Sequence, residues 1–480
     1  MIIDKIFAVY NLNLMLNGIT SHKRTKIFTY RENIMTQPKR ILITQATIVN
    51  EGKQFVSDVL IEYGRIQKIS EKIDAEADLT INAEGLTLLP GFIDDQVHFR
   101  DPGLTAKGDI STESKAAIAG GTTTFMDMPN VKPTTTTIEN LEAKYQIGAQ
   151  KAWTNYSFYF GATNDNVEEL KKVDPKTVCG VKVFMGASTG NMLVDREQAL
   201  RDIFTYSPTL ITTHCEDTPM IKAQEEKYRE QYGEDIPMSA HPEIRCREAC
   251  YKSSSFAIQL AKETGADLHV LHLTTAEEMA LFEPGPVEGK KITAEACTHH
   301  LWFTEEDYAE RGTYIKCNPA IKKQSDRDAI RQAVIEGRID IIATDHAPHT
   351  NEEKQNKYFT APAGLPQVQQ SLSSLLDLVH EGVFDIETVV QKTAHNVAIR
   401  YQIEDRGYIR EGYWADIVLV DMNQPHTDTK EDNLYKCQWS PWEGHTFKSS
   451  VVSTIVSGVL KFHQGQFAEF TPGQRLLFNR

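Results

Sequence analysis

Hydrophobic and polar positions change their period twice along this chain. From Arg40 to Leu88 apolar residues come in short alternating runs, Ile41-Leu-Ile-Thr, Ala46-Thr-Ile-Val, Asp58-Val-Leu-Ile-Glu and Arg65-Ile-Gln-Lys-Ile, with turns at Glu51-Gly52 and Tyr63-Gly64. A period of two broken by glycine turns predicts a small antiparallel β unit. The same texture returns near the end, from Gly407 to Asp421 and from Val451 to Val459. In between, strand-like runs alternate with helical ones. Eight runs read as strands: 89–97, 122–128, 154–161, 179–186, 209–214, 267–273, 291–296 and 339–345. Helical periodicity lies between them at 111–119, 138–149, 196–204, 245–263 and 326–336, and covering helices are expected at 365–380 and 386–399.

Eight β-then-α units predict a parallel sheet, and closing it into a barrel removes its edges. The expected fold is therefore α/β: a (β/α)8 TIM-like barrel with a small β-sandwich domain built from both chain ends. The expected boundaries are an extension over 1–38, β parts over 39–88 and 406–480, and the barrel over 89–405.

Bulk properties narrow the function. A net charge of -15 argues against nucleic acid or an anionic membrane as partner. No apolar run reaches the 18 or so residues of a membrane span. Seven scattered cysteines without a CxxC pair read as free thiols of a reducing compartment, so a cytoplasmic location is expected. Asp4, Lys5, Asn11 and Asn13 interrupt the apolar N-terminus and no small-residue cleavage site follows, unlike a signal peptide. Residues 1–34 read as a loosely ordered extension upstream of a natural start at Met35.

The chemistry gathers at the strand ends, where such barrels place their active sites. The run Gly91-Phe-Ile-Asp-Asp-Gln-Val-His-Phe-Arg-Asp-Pro-Gly103 carries a buried strand into a turn, and alternation lets Gln96, His98 and Arg100 face one pocket. Other strands end at Asn130, Lys182, His214, His272, His299-His300 and Asp345. A lone histidine is usually a satisfied core or surface group. Here His98, His214, His272 and Asp345 fall on ends of one barrel, and imidazole with carboxylate suits zinc, with manganese or cobalt as alternatives. Lys182 is either a lysine snorkelling to solvent or a neutral amine that takes up CO2 to form a bridging carbamate. Asp345 would take a proton from water made acidic by the metal.

These residues resemble the dihydroorotases of the amidohydrolase superfamily, over nearly the whole chain from about Arg40. The stretch from Gly91 to Gly103 carries the likeness, with Gly120-Gly-Thr-Thr-Thr-Phe-Met-Asp-Met-Pro-Asn130 and Val181-Lys-Val-Phe184. It continues through Thr213-His-Cys-Glu216, His269-Val-Leu-His272, Thr298-His-His-Leu301, Lys316-Cys-Asn-Pro319, Ala343-Thr-Asp-His-Ala-Pro-His349 and Ser440-Pro-Trp-Glu-Gly444. The resemblance implies reversible cyclisation of N-carbamoyl-L-aspartate to L-dihydroorotate, a step of pyrimidine synthesis. It implies one or two zinc ions held by His98, Lys182 as a carbamate, His214, His272 and Asp345, with Asp345 as general acid/base. It further implies that Arg100, Asn130 and His349 hold the substrate carboxylate, and that Asn318 and the backbone of Ala361 to Gly364 meet the ring amide. The expected partner is this small molecule, in a homodimer or larger homo-oligomer.

One position departs from the pattern. The family's His-x-His reads Gln96-Val-His98 here, and an amide oxygen is a poor zinc ligand beside imidazole. The first-strand metal site is therefore expected to be weak, differently coordinated or empty, unless Asp94 or Asp95 compensates. Two other readings compete. Hydrolases of dihydropyrimidines, hydantoins or allantoin share barrel and ligands but do not need Arg100. A non-catalytic dihydroorotase-like subunit would explain Gln96 but not the retained Lys182, His214, His272 and Asp345.

Overall fold

The computed structural model describes residues 38–186 and 192–480; the extension expected over 1–38 lies, but for its last residue, outside them. Eight parallel strands form the barrel: Phe92–Val97, Thr122–Asp127, Asn155–Phe158 continued by Phe160–Gly161, Val181–Phe184, Ile211–His214, Leu268–Val270, Ile292–Cys297 and Ile341–Ala343. Each pairs in parallel with its neighbour in sequence. The ring closes where the His98 N–H donates to the His346 carbonyl (2.7 Å) beside a parallel bridge between Val97 and His346. The sheet is left without an edge.

The first barrel strand is shorter than its apolar run. Thr87–Pro90 pairs with Arg40–Asn50 and Ile417–Asp421 in the β domain, and the barrel strand starts at Phe92. Gly91 makes the step between the two sheets, where a Cβ would stand 2.2 Å from the Thr123 side chain. Both strands are buried, so the sequence shows one continuous apolar stretch.

The β domain is a nine-stranded sheet contributed by both chain ends. Its inward residues, Ile41, Ile43 and Ile48 near one end and Ile417, Leu419 and Ile455 near the other, share one apolar cluster. The barrel helices follow the expected pattern with two informative shifts. The helix Ser371–His380 begins six residues later than expected, because the backbone N–H groups of Gln367 and Val368 donate to His346 Nδ1 instead of entering a helix. The expected helix 386–399 contains a π turn at Gln391–His395, and His395 there accepts from the Glu51 N–H (2.9 Å), fastening the β domain to the barrel.

Candidate active site

A cavity of about 130 Å3 opens at the C-terminal ends of the barrel strands. It is lined by His98, Lys182, His214, His272 and Asp345, and by Arg100, Asn130, Asn318, His349 and Gly364. Of the residues expected there, Ala361 does not reach the cavity. Its N–H donates to the Lys357 carbonyl (2.7 Å) and its carbonyl accepts from Lys316 Nζ (2.7 Å), so Pro362, Ala363 and Gly364 form that wall. His299 and His300 also point elsewhere, bound to Gln367 and to the Pro319 carbonyl.

Local backbone aims the side chains. Arg100, His272 and Asp345 adopt left-handed conformations (φ 67°, 39° and 51°), which bulky residues avoid and which concentrate at functional sites. Gly364 is required beside them: a Cβ there would meet the Ala347 carbonyl oxygen at 2.5 Å. In the first strand simple alternation fails at a bulge. Asp94 faces Phe125 and Val97 faces Asp127, so Asp95 and Gln96 together occupy one step of the ladder. Neither aspartate compensates for Gln96 in the cavity wall. Asp94 accepts from the Thr344 N–H (3.1 Å) and hydroxyl (2.6 Å), and Asp95 lies deeper, accepting from the Tyr401 hydroxyl (2.8 Å).

The donors form two groups. His214 Nδ1 and His272 Nε2 are 3.0 Å apart, and His214 Nε2 meets Glu216 Oε2 at 2.9 Å. That contact assigns the ring proton to Nε2 and leaves Nδ1 as an electron-pair donor toward the cavity. Burial pulls His272 far below the usual imidazole range, helped by His214 and Lys182. Burial also lowers Lys182 to about 8, against the pull of Asp345 and Glu295, so the neutral amine is far more accessible than in an ordinary lysine. In the second group Asp345 Oδ1 is 3.1 Å from both His98 Nε2 and Gln96 Nε2, and His98 Nδ1 is 2.8 Å from Asn130 Oδ1. Burial would raise Asp345, but His98, His299 and Lys182 together outweigh it and keep the carboxyl below its ordinary value.

These residues fit a metal. His214 Nδ1 and His272 Nε2 converge to 3.0 Å, and His98 and the Asp345 carboxylate share their cavity. The opposite wall fits an anion. Arg100 is buried and donates through Nε to the Pro348 carbonyl (3.1 Å), with Nη2 3.1 Å from His349 Nε2. Burial lowers its guanidinium to about 10, where it remains charged at neutral pH.

The sequence reading missed the supports behind this wall. Glu216 also accepts from Arg245 Nη1 (2.6 Å); burial would raise its carboxyl, yet Arg245 and His214 hold it well below the usual range. Its signal was available, two residues beyond His214. Lys107 Nζ lies 3.0 Å from His349 Nδ1. Buried Lys354 donates to the carbonyls of Pro362 (3.0 Å) and Gly364 (2.9 Å) and so fixes the loop that closes the cavity. Trp439, beside the Ser440–Gly444 motif, donates through Nε1 to the His349 carbonyl (2.8 Å).

Comparison with known proteins agrees with this architecture. The family model described as "Amidohydrolase family" matches residues 87–461. A dihydroorotase of Halobacterium salinarum is 32% identical over 406 residues, covering 84% of this chain and 92% of that protein. An allantoinase of Bacillus velezensis is 28% identical over 432 residues, covering 88% and 94%. Among solved structures, the L-hydantoinase of Arthrobacter aurescens superposes with a TM-score of 0.86 at 24% identity, covering 91% of this chain and 99% of that one. The barrel, the strand-end donors and the family match lead to one conclusion: the chain belongs to the amidohydrolase family, among the cyclic amidohydrolases.

Proposed function

We propose that this protein is a dihydroorotase, interconverting N-carbamoyl-L-aspartate and L-dihydroorotate in pyrimidine synthesis. The observation that carries the reading is buried Arg100, whose guanidinium faces the same small cavity as the metal-type donors. A planar, permanently charged fork in a dry wall suits a substrate carboxylate. Hydantoin and allantoin carry no such group.

The residues divide the work. Arg100, with Asn130 and His349, holds the carboxylate and so fixes the ring's orientation. Asn318 Oδ1 is buried without a hydrogen-bond partner and suits a ring N–H, and Gly364 lines the same cavity. His98, His214, His272, Asp345 and Lys182 as a carbamate would hold zinc. When bound, zinc polarises the amide carbonyl and raises the acidity of water. Asp345 takes the proton of the attacking water and delivers it to the departing amide nitrogen; in cyclisation the transfer reverses. Gln96 donates its amide N–H to Asp345 and orients that carboxylate. Lys182, partly neutral near pH 8, forms its carbamate by bonding its neutral nitrogen to CO2 and releasing one proton.

The test is a turnover assay of zinc-loaded protein with carbamoyl-aspartate, dihydroorotate, hydantoin and allantoin. Interconversion of the first two is expected. Hydrolysis of allantoin or hydantoin without it would overturn the substrate, and no turnover of any would favour a non-catalytic subunit.

A further inference from the structure

A second group of donors lies behind the cavity wall, and the reaction described above does not use it. Asp95, His269 and Glu295 come from the first, sixth and seventh barrel strands, and each is 0% exposed. The bulge at Asp95 and Gln96 brings the aspartate into this layer. One donor atom from each residue lies within 4.8 Å of the others. His269 Nε2 is 3.4 Å from Asp95 Oδ2 and 3.7 Å from Glu295 Oε2. Both separations exceed the roughly 2.7–3.2 Å of an N–H···O hydrogen bond.

Each of the three residues is anchored by a hydrogen bond from outside the group. His269 Nδ1 is 2.8 Å from the Thr293 hydroxyl, whose own proton is directed at the Leu268 carbonyl (3.3 Å). In the neutral ring Nδ1 therefore carries the proton and Nε2 presents a lone pair to two carboxylates, which, against the effect of burial, draw a cation or a second proton toward it. Asp95 Oδ2 accepts from Tyr401, and Glu295 Oε1 accepts from the His272 N–H (3.0 Å). Asp95 Oδ1, His269 Nε2 and Glu295 Oε2 have no hydrogen-bond partner. His269 Nε2 and the carboxylates of Asp95 and Glu295 share one buried space, where electron pairs repel unless a cation or a shared proton lies among them.

We propose that Asp95, His269 and Glu295 form a zinc site of their own, distinct from the donors that line the cavity. Two ligands of one tetrahedral zinc stand about 3.3–3.5 Å apart at ordinary bond lengths, close to the two separations seen here. One imidazole and two carboxylates also cancel the ion's charge. Such an ion ties three barrel strands together. Through Glu295 and the His272 N–H it also braces a cavity histidine. The inference does not depend on which cyclic amide is the substrate.

The experiment is crystallographic: the full chain is crystallised with Zn2+, and anomalous differences are collected on both sides of the zinc edge. The expected result is a peak about 2.0–2.2 Å from His269 Nε2 and from an oxygen of each carboxylate, resolved from any peak in the cavity. Asp95→Asn, which keeps an oxygen for Tyr401, should lower the zinc content by about one ion per chain while cavity ions remain. If that variant does not fold, the map of the unaltered protein decides alone. A zinc-replete crystal with no peak at the triad overturns the proposal, whether or not the cavity is occupied. Contacts contracted to hydrogen-bond length would then identify a protonated His269 bridging two acids. Failure of the dihydroorotate assay would leave this result untouched.

Discussion

The two halves of the cavity are built to different standards. On one side Lys182, His214 and His272 stand on three adjacent strands, and His214 is held from behind by Glu216 and Arg245. On the other side Gln96, His98 and Asp345 meet across the barrel's closing seam, through longer contacts of 3.1 Å to a single carboxylate oxygen. The first half is a braced set of nitrogen donors. The second gives up one imidazole and gains an amide that orients Asp345. In the proposed reaction this difference separates holding an ion, the task of the braced half, from moving a proton, the task of the seam.

Four substitutions sharpen or break that contrast, taken from the largest expected effect to the smallest. Asp345→Asn removes the proton carrier, and kcat should fall by about 10²- to 10⁴-fold with the fold intact by circular dichroism. A loss below tenfold would place the acid/base elsewhere. Arg100→Lys replaces the two-pronged donor and should lower kcat/KM for dihydroorotate by about 30- to 150-fold, on the order of 2–3 kcal/mol. An unchanged value would remove Arg100 from the site. Glu216→Gln loosens the brace of the first half, and zinc affinity in a competitive chelator titration should drop by about 10- to 100-fold. Equal affinity would make the brace dispensable. Gln96→His returns an imidazole to the seam and should slow zinc loss during dialysis against a mild chelator, by the smallest margin of the four. If the unaltered protein already keeps two cavity ions equally well, the seam is not the weaker half.

Much of this site is legible in the sequence alone. The strand ends carry His98, Lys182, His214, His272 and Asp345 because a parallel barrel presents those ends to one mouth, and the period change from two to 3.6 marks them. Three features were hidden. The two sheets joined at Gly91 are both buried, so their strands merged in the pattern. The bulge at Asp95 and Gln96 depends on pairing with the second strand, and alternation within one strand cannot foresee it. Lys354 reaches the loop carbonyls from a short helix whose sequence gives no sign that its ammonium is fully buried.

The most direct test compares two rings that differ by one group. Dihydroorotate is dihydrouracil with a carboxylate added, so their kcat/KM ratio on the zinc-loaded protein reports the contribution of Arg100 and its neighbours alone. The account predicts that dihydroorotate is preferred by at least ~10²-fold and that Arg100→Lys removes most of that preference. Dihydrouracil turned over as well as dihydroorotate, or better, would contradict it.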